Sequence, residues 1–367
     1  MAAIRFERRL DVSTRQAALA RVGGAVAALL LAGLLLLLTG RNPFSLLADG
    51  ISATVGDRQG IDETLVIATP ILMNALAVAI ALRLKVWNIG SEGQFFMGAW
   101  AAAGVGLYLD LPAALLLVLM ALAGMAAGAV WILVPALSRA YWNVNEIITT
   151  LLLNFVAIQW VFWFSLGQWR DTKTAVVQST PEVNATLPDF PGSNTLHIGF
   201  LVPIVIAVIM FLVFRYSRWG YEVDMIGGNP RAAAFAGIPV KRRIVTVMLL
   251  SGAIAGLSGM IHLAGAAIRL NGSISNNYGL SGFIVAALAG NSIVGLVVGG
   301  LFIAAMLHAG VALQSEGFSV FIVAGVYGLV LAGIGLGEVA ARFRLVRPAP
   351  AGPAPAAPAP VVAAEAP

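Results

Sequence analysis

Apolar runs of about twenty residues recur through almost the whole chain, and each is long enough to cross a bilayer as a helix. Ten are placed, at 22–39, 64–83, 93–109, 112–138, 146–167, 198–214, 243–268, 280–294, 296–313 and 318–337. The third, eighth and ninth are short or glycine-rich, which suits tilted, broken or re-entrant helices. The composition agrees: 59% of residues are hydrophobic and 11% charged, against about 25% charged in a soluble domain. The expected fold class is all-α, a polytopic integral membrane protein of about ten transmembrane helices. Cysteine is absent, so the chain has no disulfide or thiol chemistry.

Lysine and arginine set the orientation. With the N-terminus inside, the outer segments hold Arg41, Arg58, Arg170, Lys173 and Arg269, and the inner segments hold the other 17 of the 22 basic residues. Both termini are therefore expected in the cytosol. This bias also accounts for the net charge of +5 without a nucleic-acid partner. Arg5, Arg8, Arg9, Arg15 and Arg21 precede the first run as in a signal peptide, but no small-residue cleavage site follows. An uncleaved first span is expected.

The domain reading has three parts: a basic cytosolic segment at 1–21, a membrane domain at 22–341, and a disordered Pro/Ala-rich tail at 342–367. Two long outer segments, Gly40–Glu63 and Gln168–Leu196, suit short helices lying on the membrane surface. Spans two to five and seven to ten show a weak pseudo-repeat.

The longest charged interruption in the second half is the cytosolic loop 215–243. It contains a short helix with its own signals. Asn229 suits the N-cap and Pro230 the first helical position. Arg231–Ala236, including Ala233, is strong helix former. Gly237 suits the left-handed position after the helix, Ile238 gives the apolar contact, and Pro239 forbids continuation. So short a helix is marginal alone and docks on something: the chain's own membrane domain or a cytosolic partner.

No phosphate-cradling loop is present. Such a loop ends in Gly-Lys-Ser/Thr, and Lys85, Lys173 and Lys241 follow Leu84, Thr172 and Val240. ATP, if used, is hydrolysed by another chain, and no cofactor or metal is expected on this one. The histidines show no metal-ligand spacing. No carboxylate is expected deep in a span, which argues against a proton relay.

The third span opens with Asn88, Gly90, Ser91, Glu92, Gly93 and Gln94 on the cytosolic side. Ser91 and Gln94 match a capping box, and Glu92 suits the positive end of its own helix. The segment is either an ordinary surface cap or a gate at the mouth of a path. In the fifth span Asn145 suits the N-cap, with Asn154 and Gln159 following. Polar side chains inside spans are functional candidates or interhelical glue. Asn74, Asn154, Gln159 and His262 are the candidates for a translocation path.

One constellation resembles an enzyme. Gly256-Leu-Ser258-Gly259 and Gly279-Leu-Ser281-Gly282, with His308 later, resemble the serine–histidine dyad of rhomboid intramembrane proteases. Small residues at helix contacts explain the same glycines and serines.

The stretch Gly227-Gly-Asn229-Pro-Arg-Ala-Ala233-Ala-Phe-Ala-Gly237-Ile238 resembles the cytosolic loop of ATP-binding-cassette importer permeases of the ribose and branched-chain amino acid type. Asn88-Ile-Gly-Ser-Glu92-Gly-Gln94-Phe-Phe-Met-Gly98-Ala and Asn145-Glu146-Ile-Ile-Thr-Thr-Leu-Leu-Leu-Asn154 resemble its nucleoside and simple-sugar branch. The likeness covers about Thr64 to Gly337. His262 stands where a glutamate is expected. The resemblance implies a permease subunit in the cytoplasmic (inner) membrane of a prokaryote. Its partners would be a second, equal or different permease subunit, cytosolic ATPase subunits that bind the ATP, and an extracytoplasmic substrate-binding lipoprotein. Gly228, Asn229, Pro230, Arg231, Ala233, Gly237 and Ile238 would then meet the ATPase. Asn88, Gly90, Glu92, Gly93 and Gln94 would be structural or gating.

Overall fold

The computed structural model describes residues 5–8, 14–38, 40, 42–173, 178–290, 292–315 and 317–346. Most of the expected Pro/Ala-rich tail, from 347 on, lies outside the described residues. So does part of the basic 1–21 segment.

The described residues are mostly helical. In chain order the helices are α1 (Thr14–Leu38), α2 (Pro43–Val55), α3 (Arg58–Arg83), α4 (Ser91–Tyr108), α5 (Ala113–Trp142), α6 (Glu146–Leu166), α7 (Leu201–Tyr216), α8 (Arg218–Gly228), α9 (Pro230–Phe235), α10 (Val240–His262), α11 (Tyr278–Ala289), α12 (Ile293–Ser315) and α13 (Val320–Arg342). A single 3₁₀ turn leads into α7, and a π turn at Leu263–Ala267 extends α10. The one exception to the all-α expectation among the described residues is a ribbon. Strand β1 (Arg5–Arg8) pairs antiparallel with β2 (Phe343–Val346).

Eight of these helical segments are long and apolar enough to cross a membrane. They correspond to eight of the ten expected spans. The third and eighth are different: α4 starts on the polar run Ser91–Gln94, and α11 has only 12 residues. The ninth, the other short expectation, is the full-length α12.

The chain divides into two compact units, 1–43 with 324–367, and 44–323. In the first, α1 and α13 approach so closely that no side chain fits at Gly24, Gly333 or Gly337. Arg21 reaches Glu338 at 2.7 Å across this contact.

In the second unit α3 and α10 are the most enclosed spans, with 78% and 61% of their apolar windows buried. The packing around them is reciprocal. Helices α4 and α5 lie against α10, while α11 and α12 lie against α3. The shorter helix α4 thus packs on α10, and the shorter helix α11 on α3. Glycine permits it, because Gly98 and Gly128 meet the backbone of α10 at Gly252 and Gly256 with no room for a Cβ, and Gly282 meets α3 at Asn74 and Ala75. Such small-residue contacts let helix backbones close up in lipid.

The segment between α6 and α7 is fastened to the end of α10. Backbone N–H groups of Thr180, Val183 and Leu187 donate to the carbonyls of Leu270, Ile268 and Ala264. Arg269 pairs with Asp171 at 2.8 Å and Glu182 at 3.0 Å.

Candidate functional site

The loop between α7 and α10 holds two helices, not one. The first, α8, begins at Ser217, whose hydroxyl accepts from the Gly220 N–H at 3.0 Å. Glu222 on it is buried and takes Arg218 at 3.2 Å and Arg243 Nε at 2.6 Å. Asp224 pairs with Arg83 at 3.1 Å, and the Arg83 guanidinium lies 4.0 Å over the Phe214 ring. Gly227 touches the Arg83 carbonyl so closely that no side chain fits there. Helix α8 is therefore clamped to the ends of α3, α7 and α10. Sequence reasoning missed it, although Arg218 and Glu222 have the i, i+4 spacing of a helical ion pair.

The second helix, α9, is built as its sequence says. The Asn229 side-chain oxygen accepts from Arg231 and Ala232 N–H at 3.1 and 3.2 Å, with Pro230 in the first turn. Gly237 takes φ +80°. Its N–H donates to the Ala234 carbonyl at 3.0 Å, and Ile238 N–H donates to the Ala233 carbonyl at 3.1 Å, the paired bonds of a Schellman motif. The helix ends at Phe235, one residue before the expected Ala236. Only Ala233 is buried against the rest of the chain, Ile238 is half-buried, and Phe235 is 95% exposed. Gly228, Asn229, Pro230, Arg231 and Gly237 lie exposed around it.

The start of α4 lies inside the helix packing, not at a surface. Lys85 at φ +57° turns the chain after α3. Asn88 and Gln94 then pair amide to amide at 2.9 and 3.0 Å. Asn88 also donates to Ser251 Oγ at 2.9 Å and accepts from Gly90 N–H at 3.1 Å, so both ends of its amide are doubly bonded. The expected capping box does not form. Gln94 is spent on Asn88, and Ser91 donates to the Gly279 carbonyl at 3.0 Å. Instead Asn154 on α6 closes this helix end: it accepts from Gly93 N–H at 2.8 Å and donates to the Ile89 carbonyl at 2.9 Å. Gly90 and Gly93 leave room for Thr150 and Asn154 to approach.

Glu92 also departs from expectation. It does not sit on the surface near its own helix end. It is 3% exposed, and its carboxylate accepts from Gly279 N–H at 2.6 Å and more weakly from Leu280 N–H at 3.4 Å. It therefore caps α11 and meets the positive end of that helix. The starts of α4 and α11 are joined through Glu92 and, in the opposite sense, through the Ser91 hydroxyl on the Gly279 carbonyl.

The remaining path candidates do not converge. Asn74 donates to the Pro70 carbonyl at 2.8 Å and to Ser258 at 3.1 Å, and its oxygen is buried without a partner. Asn154 is spent on α4. His262 is buried with its ring 5.1 Å from Tyr278 and 5.8 Å from Phe95. Gln159 alone is exposed, on the C-terminal half of α6. His197, expected in an outer loop, is 1% exposed, with neither ring nitrogen bonded. It fits against Gly199 and Gly265, where a side chain would collide with its ring. Burial holds its imidazole below the ordinary value, with Asp189 opposing weakly.

The protease alternative finds no support. Ser258 is bonded to Asn74 and donates to the Pro70 carbonyl at 3.3 Å. The His308 ring nitrogens face Thr64 at 2.8 Å and Glu63 at 3.0 Å, not either serine.

A helical membrane domain with two shorter helices clamped start to start and a locally capped, exposed helix suits the membrane subunit of a transporter. Residues 60–335 match the family model described as branched-chain amino acid transport system / permease component, and the chain belongs to that family. It is 36% identical over 296 residues to the glucose ABC transporter permease protein TsgB13 of Haloferax volcanii, covering 78% of each chain. It is 34% identical over 275 residues to the guanosine ABC transporter permease protein NupP of Bacillus subtilis, covering 72% of this chain and 77% of that one. The nucleoside ABC transporter permease protein NupB of Lactococcus lactis is 29% identical over 301 residues, with 78% and 82% covered. The chain is a multi-pass membrane permease subunit and not an enzyme. Subunits of this family work with an ATPase and a substrate-binding protein.

Proposed function

We propose that the chain forms part of the solute path of an importer for nucleosides or related neutral polar solutes in the cytoplasmic (inner) membrane of a prokaryote. A separate ATPase subunit binds the ATP and docks on residues 227–238. A second permease subunit, identical or different, completes the path, and an extracytoplasmic lipoprotein delivers the solute. Closure of the ATPases moves α9, and α8 passes that motion to α3, α7 and α10. The observation that carries this reading is α9 itself, locally capped, with Phe235 95% exposed, on a neighbouring helix fixed by Glu222 and Asp224. Support for the solute class comes from relatives named for guanosine, nucleosides and glucose.

The test is ATP-driven uptake by proteoliposomes holding this chain with its ATPase, and the binding protein outside. Uptake should need all three. Uptake with no nucleotide-hydrolysing subunit present, or labelling of residues 227–238 from the extracytoplasmic face, would end the proposal.

A further inference from the structure

A concave surface of about 510 Å³ lies along the C-terminal half of α6, lined by Gln159, Phe162, Trp163, Leu166 and Gly167. These positions fall on one helical face. Gln159 is exposed, and no partner for its amide is found among the described residues. An unpaired amide facing lipid is costly, so this face meets either water or another polar group. A girdle of aromatic residues at the membrane interface would account for the neighbouring tryptophans, since Trp100 and Trp169 stack nearby with centroids 5.8 Å apart. It does not account for an amide one turn deeper.

The two rings of the groove differ in freedom. Phe162 is seated on Gly272, where a Cβ would collide with its ring. Trp163 is 58% exposed and forms a T-shaped pair with Phe164, with centroids 4.9 Å apart and planes at 84°. Trp160 lies tilted against Trp163 at 6.3 Å, and the exposed part of the Trp163 ring lines the groove together with Gln159. A stacking face with an adjacent donor–acceptor pair suits a flat base, because every base offers a π-face and an edge that a carboxamide can meet at two points. None of the five lining side chains is charged, so a phosphate would find no partner there.

We propose that this groove is where the permease contacts the base of a neutral nucleoside, with Trp163 stacking and Gln159 reading the base edge. The inference rests on the permease reading above and adds the location of the contact and the part of the solute that is read.

The complete transporter in proteoliposomes tests it, with guanosine, uridine and glucose as probes. Wild type should carry the nucleosides. Trp163→Ala should lower nucleoside uptake about tenfold and Trp163→Phe far less, while Gln159→Leu should raise the apparent KM for nucleosides about tenfold. Size-exclusion chromatography should show all three variants still assembled with the ATPase. Unchanged uptake in both Trp163→Ala and Gln159→Leu would overturn the proposal. So would a wild type that carries glucose and neither nucleoside, which would leave the permease reading intact. Loss of assembly in the variants would also overturn it, because the groove would then be a subunit contact. A wild-type assembly that moves no solute with ATP would remove the permease reading itself, and this inference with it.

Discussion

Helix α9 and the helix pair α4/α11 solve the same problem by opposite means. Each must satisfy backbone N–H groups left open at a helix start. For α9 the acceptor is Asn229, two and three residues from its donors. The start of α4 is closed by Asn154, 61 residues away from Gly93, and that of α11 by Glu92, 187 residues away from Gly279. A locally capped helix keeps its shape while it moves. Helices capped by distant side chains cannot shift without breaking those bonds. The first kind suits a part that receives force, and the second a part that must transmit it or release at a defined step.

The sharpest way to break this contrast is at Glu92. Glu92→Ala removes the acceptor for α11 and leaves its N–H groups buried and unpaired, a cost of about 2–4 kcal/mol. Glu92→Gln keeps an acceptor and should recover roughly half of that. Asn154→Ala, which strands the Gly93 N–H of α4 and the Ile89 carbonyl just before it, should cost about 2–3 kcal/mol. Thermal unfolding in detergent measures all three. A Glu92→Ala protein that melts like wild type would mean the two short helices are not joined in this way.

The opposite pattern is expected at Asn229. Its loss costs about 1 kcal/mol of local helix stability, in an exposed element that supports nothing else. Asn229→Ala should therefore leave the melting temperature nearly unchanged and still reduce ATP-driven uptake, and Asn229→Asp should retain both. A large melting shift would show that α9 is part of the packed domain and not an appendage.

Phe235 refines the same side of the comparison. Fully exposed on its own chain, its truncation to alanine should change stability by less than about 0.5 kcal/mol. An aromatic anchor buried at a partner contact typically costs more than 1 kcal/mol when truncated, so the ATPase should bind about tenfold more weakly. Titrating the ATPase onto the reconstituted permease reads this directly, and equal affinity would move the contact off α9.

What the sequence disclosed follows this same division. Every feature of α9 that depends on residues within one turn was legible: the Asn229 cap, Pro230, and Gly237 at positive φ. The long spans were legible because apolar length alone identifies them. The start of α4 was misread because Ser91 and Gln94 have local capping spacing but are held by Gly279 and Asn88. Glu92 reads locally as a charge at the start of its own helix, since nothing near it in the chain points to Gly279. Helix α8 was passed over because its charges looked like those of a solvated loop, while Glu222 and Asp224 are bound to Arg243 and Arg83 on other helices.

His197 gives the smallest effect and extends the contrast to a third place, a loop residue that behaves as core. Its ring is enclosed by Gly199 and Gly265 and neither nitrogen is bonded. Burial lowers its proton affinity from the ordinary 6.5. The unfolded chain therefore takes up the proton first as pH falls, and stability moves with it. The contribution is complete above 6.5 and declines as pH drops below that value, by at most about 1.4 kcal/mol per pH unit for one proton. Melting at pH 8 and 5.5 should show a fall in wild type that shrinks in His197→Asn, which carries no titratable proton. An equal fall in both would mean that His197 does not behave as a buried residue and does not contribute to the pH dependence.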